Sequence, residues 1–241
     1  MRSLFFCITA AAVIGTFAPA HAAFEVDSPT VSEGDIEIET KNRFDFDHRD
    51  DTDNYFEHSI GAGYAPNKWL KWDIETVFSK NPDDSYHWKE TEVEISLELL
   101  EESAALPAIG LELGYAMGHE SGRADELEFL LLAQRKAFGL THTMNIGLEQ
   151  EVGPHREEDA VLGFAWRSKY AISDTTEIGI EYHAEFGELG HIPGYSEQEH
   201  RIGPSLYGEL LPQVGYEIGW LYGISRATED HSFKIILEYE F

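Results

Sequence analysis

The last stretch of the chain, Phe233-Lys234-Ile235-Ile236-Leu237-Glu238-Tyr239-Glu240-Phe241, decides the fold. Its apolar side chains occupy every second position, as Phe233, Ile235, Leu237, Tyr239 and Phe241. Because successive side chains of a β-strand point to opposite faces, this alternation predicts a strand with one apolar and one largely charged face. A second stretch repeats the pattern around Glu92, where the alternating apolar residues are Val93, Ile95, Leu97 and Leu99.

The same period of two recurs in about twelve segments, each near the length at which a tilted strand crosses a bilayer. The predicted segments are 35–47, 54–65, 69–79, 87–99, 108–118, 125–137, 140–151, 159–170, 175–187, 198–210, 214–225 and 232–241. Short turns such as Phe138-Gly139 alternate with longer polar loops such as 188–197. We therefore expect an all-β fold, a transmembrane antiparallel up-and-down β-barrel of about 12 strands, with 10–14 compatible. Both termini then lie on the periplasmic side.

The composition excludes several other classes of protein. The 241 residues include 45 acidic and 17 basic side chains, for a net charge of -28, together with 14 Phe, 11 Tyr and 5 Trp. Disordered acidic chains are poor in aromatic residues, and nucleic-acid binding requires basic surface. Beyond the N-terminus, no apolar run approaches the roughly 20 residues of a transmembrane helix.

The N-terminus has the layout of a secretory signal peptide. Arg2 precedes an apolar stretch from Leu4 to Phe17, and Ala20-His21-Ala22 supplies a small-residue cleavage site. We therefore expect cleavage of residues 1–22, a short periplasmic segment at 23–34 and the barrel at 35–241. The only cysteine, Cys7, lies in the predicted signal peptide. An exported chain without disulfides needs a large core or a membrane to hold it together.

The main structural alternative is a secreted β-sandwich, which also alternates apolar and polar residues. Its strands are usually about five or six residues long, whereas the predicted segments are nearer ten. Aromatic residues also gather near segment ends, as in the membrane-interface belts of barrels: Trp69, Trp72, Trp88, Trp166, Tyr170, Tyr182, Phe186, Trp220 and Tyr222. These features favour the membrane barrel.

The C-terminal alternation ending in Phe241 resembles the assembly signal of Gram-negative outer-membrane proteins, which the barrel-assembly machinery reads. This resemblance implies a location in the bacterial outer membrane, in contact with its lipid and lipopolysaccharide. More narrowly, the residues 198–204, QEHRIGP, followed by Gly215-Tyr216-Glu217 are similar to uncharacterised transporter-like barrels associated with phenol degradation.

If the apolar face meets lipid, the other face lines an acidic lumen. The predicted lumen-lining, cation-attracting residues are Asp73, Glu75, Glu94, Glu112, Glu128, Glu149, Glu181, Glu217 and Glu238. The principal bases opposing them are Arg167, Arg201 and Lys234. Such dense charge requires water or ion pairing, and an excess of carboxylates attracts cations and rejects anions.

The resulting functional prediction is a narrow porin-like channel for small cationic or neutral solutes, monomeric or weakly oligomeric. Eight-stranded barrels are filled by side chains and sixteen-stranded ones leave a channel, so a closed structural or adhesive barrel stays open as an alternative. No cofactor or metal is expected, because the loop histidines lack the ligand spacing of a zinc motif. We expect no nucleic-acid partner.

A membrane-embedded lipid hydrolase is the less favoured alternative. It requires a serine and a histidine close together near one rim on the lipid-facing side. His58, His142 and His200 have the lipid-facing phase, but Ser168 is expected near the opposite rim from His58 and His200. We therefore predict that the protein is not an enzyme.

Two segments contain positions that disagree with a simple barrel pattern. Thr40 and Asn42 fall on the predicted lipid face, which indicates either a β-bulge in the first strand or a place near the rim for Asn42. Leu130 and Leu132 fall on the predicted lumen face. That part of the wall is expected to contact a plug, a ligand or a neighbouring protomer.

Overall fold

The computed structural model describes residues 25–49, 53–80, 85–156 and 159–241. The predicted signal peptide, residues 1–22, lies outside the described residues. The strands are β1 Ile36–Phe46, β2 Phe56–Asn67, β3 Leu70–Lys80, β4 His87–Leu100, β5 Ala108–Gly118, β6 Asp125–Ala137, β7 Leu140–Val152, β8 Val161–Ala171, β9 Thr176–Glu188, β10 Glu199–Leu211, β11 Val214–Gly223 and β12 His231–Glu240. A short 3₁₀ helix, Tyr195–Glu197, precedes β10. No helix in the described ranges is long and apolar enough to cross a membrane.

The strands form one closed antiparallel barrel in which β1 pairs with both β2 and β12. The closing seam joins Phe44 to Phe233 and Ile38 to Tyr239, and Phe241 N donates a hydrogen bond to Ile36 O at 2.9 Å. Closure pairs the backbone groups that an open sheet edge would leave unsatisfied in hydrocarbon. The prediction of a twelve-stranded up-and-down barrel is confirmed, and each observed strand end lies within two residues of its predicted place.

The two faces of the wall separate by residue type. Outward apolar side chains on opposite sides of the barrel, such as Ile60 and Ile180, are 51% and 50% exposed to the surroundings, whereas the inward Lys234 and Glu181 are buried. The predicted aromatic residues near the rims are also exposed, including Trp69, Trp72, Trp88, Tyr170, Trp220 and Tyr222. The apolar outer surface is therefore the one that faces lipid in a membrane barrel.

Of the two explanations offered for Thr40 and Asn42, the bulge in β1 is wrong. The pairing of β1 is continuous against both neighbouring strands, so Thr40 and Asn42 do face outward. Instead, the polar groups bond to one another and to the backbone: Asn42 Oδ1 lies 3.0 Å from His58 Nδ1, and the Thr40 hydroxyl donates to Ser59 O at 2.9 Å. Local hydrogen bonding lowers the cost of placing them on an apolar surface.

Candidate functional site in the lumen

The interior of the barrel holds the charged side chains that the sequence pattern predicts there. Seven of the predicted lumen residues have side chains that are almost fully buried inside the barrel: Glu181, Lys234, Arg201, Glu112, Glu217, Glu94 and Arg167. Asp73, Glu75, Glu149 and Glu238 share the inward phase and line cavities inside the barrel. The C-terminal residues Phe233, Ile235, Leu237 and Tyr239 alternate with these positions and point outward.

One cluster crosses the lumen near the middle of β8, β9, β11 and β12. Lys234 Nζ lies 2.7 Å from Glu181 Oε2 and also contacts Glu217. Arg167 Nη1 contacts the same Glu217 at 3.3 Å, while His183 Nε2 and the Tyr207 hydroxyl bond to Glu181. These contacts give each buried charge a partner, which a charge away from bulk water needs.

A second group of ion pairs links β1 to β3. Lys41 Nζ lies 3.2 Å from both Glu39 and Glu75 and 3.3 Å from Glu25, which precedes the first strand. Nearer the end with the short turns, which we predict to be periplasmic, Lys71 contacts Glu37 and lies 3.2 Å from Asp73. The bases on this side of the lumen are therefore already neutralised by carboxylates.

The end of the barrel that carries the long loops, which we predict to be extracellular, is narrowed by the loop 224–230, which folds inward. Its Glu229 bonds Arg201 at 2.5 Å and lies 3.6 Å from Arg43 Nη2. Burial alone raises the pKa of the Glu229 carboxyl, but attraction to Arg201 and then Arg43 more than offsets this and lowers the pKa to about 2. Each arginine also pairs with a carboxylate on its own strand. Arg43 lies 2.6 Å from Asp45, and Arg201 lies 2.7 Å from Glu199.

Another loop closes over β2, β4 and β6 in the same way. Arg123, in the loop 119–124, lies 2.6 Å from Glu90 and 2.7 Å from Glu126. Lys89 completes this cluster with contacts of 3.0 Å to Glu90 and 2.8 Å to Glu57. The sequence pattern places these loops at the extracellular end but contains no signal that their charges reach into the lumen.

The wall formed by β4 to β7 has a different charge balance from the rest. It directs Glu92, Glu94, Glu112, Glu128 and Glu149 into the lumen, whereas Arg123 is the only lysine or arginine between Glu90 and Gln134. The carboxylates of Glu94, Glu112 and Glu128 offer oxygens within 4.8 Å of one another. We call β4–β7 with these five glutamates the acidic wall.

Residues 25–35 lie inside the barrel and cross its periplasmic half. Asp27 N donates to Asn145 Oδ1 at 2.8 Å, and Asn145 Nδ2 donates back to Asp27 O at 2.9 Å. Val31 N donates to Glu98 Oε2 at 2.8 Å, and Val26 is fully buried. Asn145 pairs with Leu132 in the sheet. The segment therefore covers the apolar part of the lumen wall that the sequence could assign only to a plug, a ligand or a neighbouring protomer.

Two cavities in the periplasmic half of the lumen are lined by both Glu25 and Glu39. One has a volume of about 290 Å³ and extends along residues 27–32 toward β3 and β4. The other has a volume of about 390 Å³ and extends toward β8, β10 and β11. Both volumes exceed the size of a single water site many times over.

The structure brings one serine and one histidine together on the outer surface, a pair that sequence reasoning missed. Ser168 Oγ lies 2.5 Å from His142 Nδ1, close to the short turns. Within the described residues, no carboxylate or amide side chain bonds the other ring nitrogen of His142, so the third group that orients a catalytic base is missing. His58 and His200 instead bond Asn42 and Tyr182, at 3.0 Å and 2.7 Å.

The loop histidine His48 is held in hydrogen-bonded contacts with two aspartates. His48 Nδ1 lies 2.9 Å from Asp230 Oδ2 and 3.2 Å from Asp47 Oδ1, and Asp47 also pairs with Arg49. An ion pair with Arg49 competes for the carboxylate that a metal would need. The expectation that the protein uses no metal or cofactor stays a prediction.

A scan of protein-family models and a search of curated proteins find no match to this chain. Among solved structures, an outer membrane channel from Pseudomonas putida F1 is similar, with a TM-score of 0.64, 8% identity, and coverage of 94% of this chain and 100% of that one. The KdgM porin has a TM-score of 0.61 and 11% identity over 85% of this chain and 99% of its own. The NanC porin has a TM-score of 0.59 and 9% identity, over 86% and 100%. The chain therefore has the fold of bacterial outer-membrane β-barrels.

Proposed function

We propose that the protein is an outer-membrane channel that passes small cationic or neutral solutes. The observation that carries this proposal is the unequal distribution of charge around the lumen. The bases Lys41, Arg43, Lys71, Arg167, Lys169, Arg201 and Lys234 each lie within ion-pairing distance of a carboxylate. Between Glu90 and Gln134 the acidic wall carries Glu92, Glu94, Glu112 and Glu128 with Arg123 as the single lysine or arginine, so the net field that a solute meets is negative.

The comparisons support a channel rather than a closed structural or adhesive barrel. The similar solved structures are described as an outer membrane channel and as porins. Cavities of about 290 Å³ and 390 Å³ inside the wall are also consistent with a hydrated path. Anionic solutes are disfavoured, because they would face the acidic wall without a matching row of unneutralised bases.

The proposal is tested by the ion selectivity of the purified protein in a planar lipid bilayer. Under a potassium chloride gradient, the reversal potential is expected to show that K⁺ permeates several-fold better than Cl⁻. Replacing Glu94, Glu112 and Glu128 together by glutamine removes three charges from the acidic wall and should reduce that preference markedly.

A matched control removes the same number of charges away from the lumen. Glu101, Asp159 and Glu197 are exposed and lie outside residues 25–35, and their joint replacement by the corresponding amides should leave the permeability ratio within experimental error. A preference for chloride in the unmodified protein would overturn the proposal. Equal effects of the two triple variants would show that the acidic wall does not set selectivity.

We further infer that the protein reaches the bacterial outer membrane through a cleaved signal peptide and is inserted by the barrel-assembly machinery. The outer-membrane fold and the exposed apolar band around the barrel support this location. In that setting the long loops meet lipopolysaccharide, and their acidic groups bridge to it through divalent cations. The protein is expected to have no enzymatic activity, since no orienting group accompanies Ser168 and His142 within the described chain.

A further inference from the structure

The segment 25–33 follows a defined path through the lumen instead of leaving the barrel at its periplasmic end. From Gly34 it passes Glu98, which accepts a hydrogen bond from Val31 N at 2.8 Å. It then reaches Asn145, which pairs with both backbone groups of Asp27. Glu25 lies beyond Asn145 and contacts Lys41 at 3.3 Å, on the opposite side of the lumen. The segment therefore spans the lumen from the acidic wall to β1.

The lumen wall is shaped to accept this segment. A Cβ placed on Gly110 would lie 2.9 Å from the Cβ of Pro29, so the absence of a side chain there lets Pro29 approach the sheet. Gly110 pairs with Leu132, and Asn145 pairs with Leu132 from the other side. Leu132 and Val26 are both almost completely buried. Residues 26–29 thus cover the apolar surface around Leu132, next to the hydrogen bonds between Asn145 and Asp27.

The segment joins the barrel through a glycine with a positive φ angle. Gly34 has a φ of +93°, a left-handed conformation that glycine adopts without steric cost. Its backbone N donates to Ala65 O at 2.8 Å, while Ala65 N donates to Asp35 O at 3.0 Å. These bonds fix the start of β1. Residues 25–33 have no strand pairing of their own and are held by the side-chain contacts described above.

We propose that residues 25–33 form a displaceable plug that hinges at Gly34 and closes the lumen while Asp27 is bound to Asn145. The proposal rests on the proposed function, because a plug regulates passage only if the barrel is a channel. The two cavities beside Glu25 are the parts of the path that the plug leaves vacant. When the plug swings out, the cavities join and the acidic wall becomes accessible from the periplasm.

The first test compares single-channel conductance of the full mature chain with that of a variant lacking residues 25–33. The deletion is expected to raise the conductance several-fold. The Asn145→Leu variant removes both bonds to Asp27 and should increase the fraction of time spent in the high-conductance state. Thr91→Val is the matched control, because Thr91 is also buried but its hydroxyl lies 3.0 Å from His119 Nε2, away from residues 25–33.

A reversible lock tests the same proposal without deleting residues. Ser28 Oγ lies 3.4 Å from Gln134 Oε1, and the only native cysteine, Cys7, belongs to the predicted signal peptide. The double variant Ser28→Cys/Gln134→Cys should therefore be cross-linked by a short bis-methanethiosulfonate reagent, because the glutamine side chain is longer than a cysteine and a direct disulfide would not reach. The cross-link should abolish the high-conductance state, and a reductant that cleaves it should restore that state. Each single-cysteine variant serves as the control.

Chemical labelling reports plug movement independently of conductance. Val26→Cys is expected to react with a membrane-impermeant maleimide at least ten-fold more slowly than Ser32→Cys, which is exposed. Asn145→Leu should accelerate labelling at position 26. Equal conductance of the full and deleted chains, or equal labelling rates at 26 and 32, would overturn the plug while the channel stands. Absence of conductance from every folded variant would overturn the proposed function.

Discussion

Lys234 Nζ lies 2.7 Å from Glu181 Oε2, and the two side chains are 2% and 0% exposed. The pair joins β12 to β9 across the interior, and Glu217 on β11 shares the same lysine. Loss of one partner from a buried ion pair is costly, since it leaves the other charge uncompensated. The buried ion pairs in the lumen therefore stabilise the barrel, in addition to contributing to the electrostatic field inside it.

Lys234→Met is expected to destabilise the barrel by about 3–5 kcal/mol, the usual range for breaking a buried pair. Chemical unfolding in lipid vesicles, followed by tryptophan fluorescence, measures the change. Adding Glu181→Gln should recover part of the loss, because it removes the buried negative charge that the lysine no longer compensates. Lys68→Met is the control, since the Lys68–Glu101 pair is more than two-thirds exposed and contributes about 1 kcal/mol or less.

The contact between Glu229 and Arg201 should hold the loop 224–230 in a pH-dependent way. The pKa of Glu229 is lowered to about 2, so its contribution is complete above the ordinary value of 4.5 and is lost as the pH falls toward 2. Arg43, Asp45 and Glu199 face the same carboxylate and hold the local charge balance.

Pepsin digestion at pH values between 4.5 and 2 measures the loosening of this loop. The wild-type loop should become susceptible only near the lower end, whereas Glu229→Gln should already be cut readily at pH 4. Digestion of both proteins with the same pH dependence would contradict the role of Glu229. Glu197→Gln, in an exposed position of the neighbouring loop, is the matched control.

Phe241→Ala is expected to reduce the amount of folded barrel in the outer membrane several-fold, because the C-terminal alternation resembles an assembly signal. Heat-modifiable migration of membrane-extracted protein measures the folded fraction. Phe138→Ala removes a ring that is fully exposed at the β6–β7 turn and should leave the yield unchanged. Equal yields for the two variants would argue that Phe241 is not recognised.

The strands and their two faces could be predicted because alternation with period two is a local property of the sequence. In β12, the alternation alone predicts that Phe233 and Lys234 lie on opposite faces of the wall, and the neighbouring strands need not be known. The same reasoning placed Glu181 and Lys234 in the lumen but could not bring them together, since cross-strand register depends on the closed barrel. The contact between Ser168 and His142 also depends on cross-strand register, so it could not be predicted either.

The lumenal position of residues 25–35 could not be predicted from periodicity, because the segment has none and its best contacts use backbone atoms. One signal did point there. Leu130 and Leu132 lie on the lumen face, where apolar side chains need cover. That signal indicated that something covers the wall, whereas identifying Pro29 and Val26 as the cover required the position of Gly110.

The double hydrogen bond between Asn145 and Asp27 also restricts how the protein should be tagged. A purification tag or fluorescent domain fused directly before Glu25 would have to share the interior with residues 25–33, and one fused after Phe241 would hide the terminal aromatic ring. The long loop 189–198, at the far end from both termini, is the suitable insertion site. Conductance recordings from a protein tagged at either terminus would reflect the tag as well as the barrel.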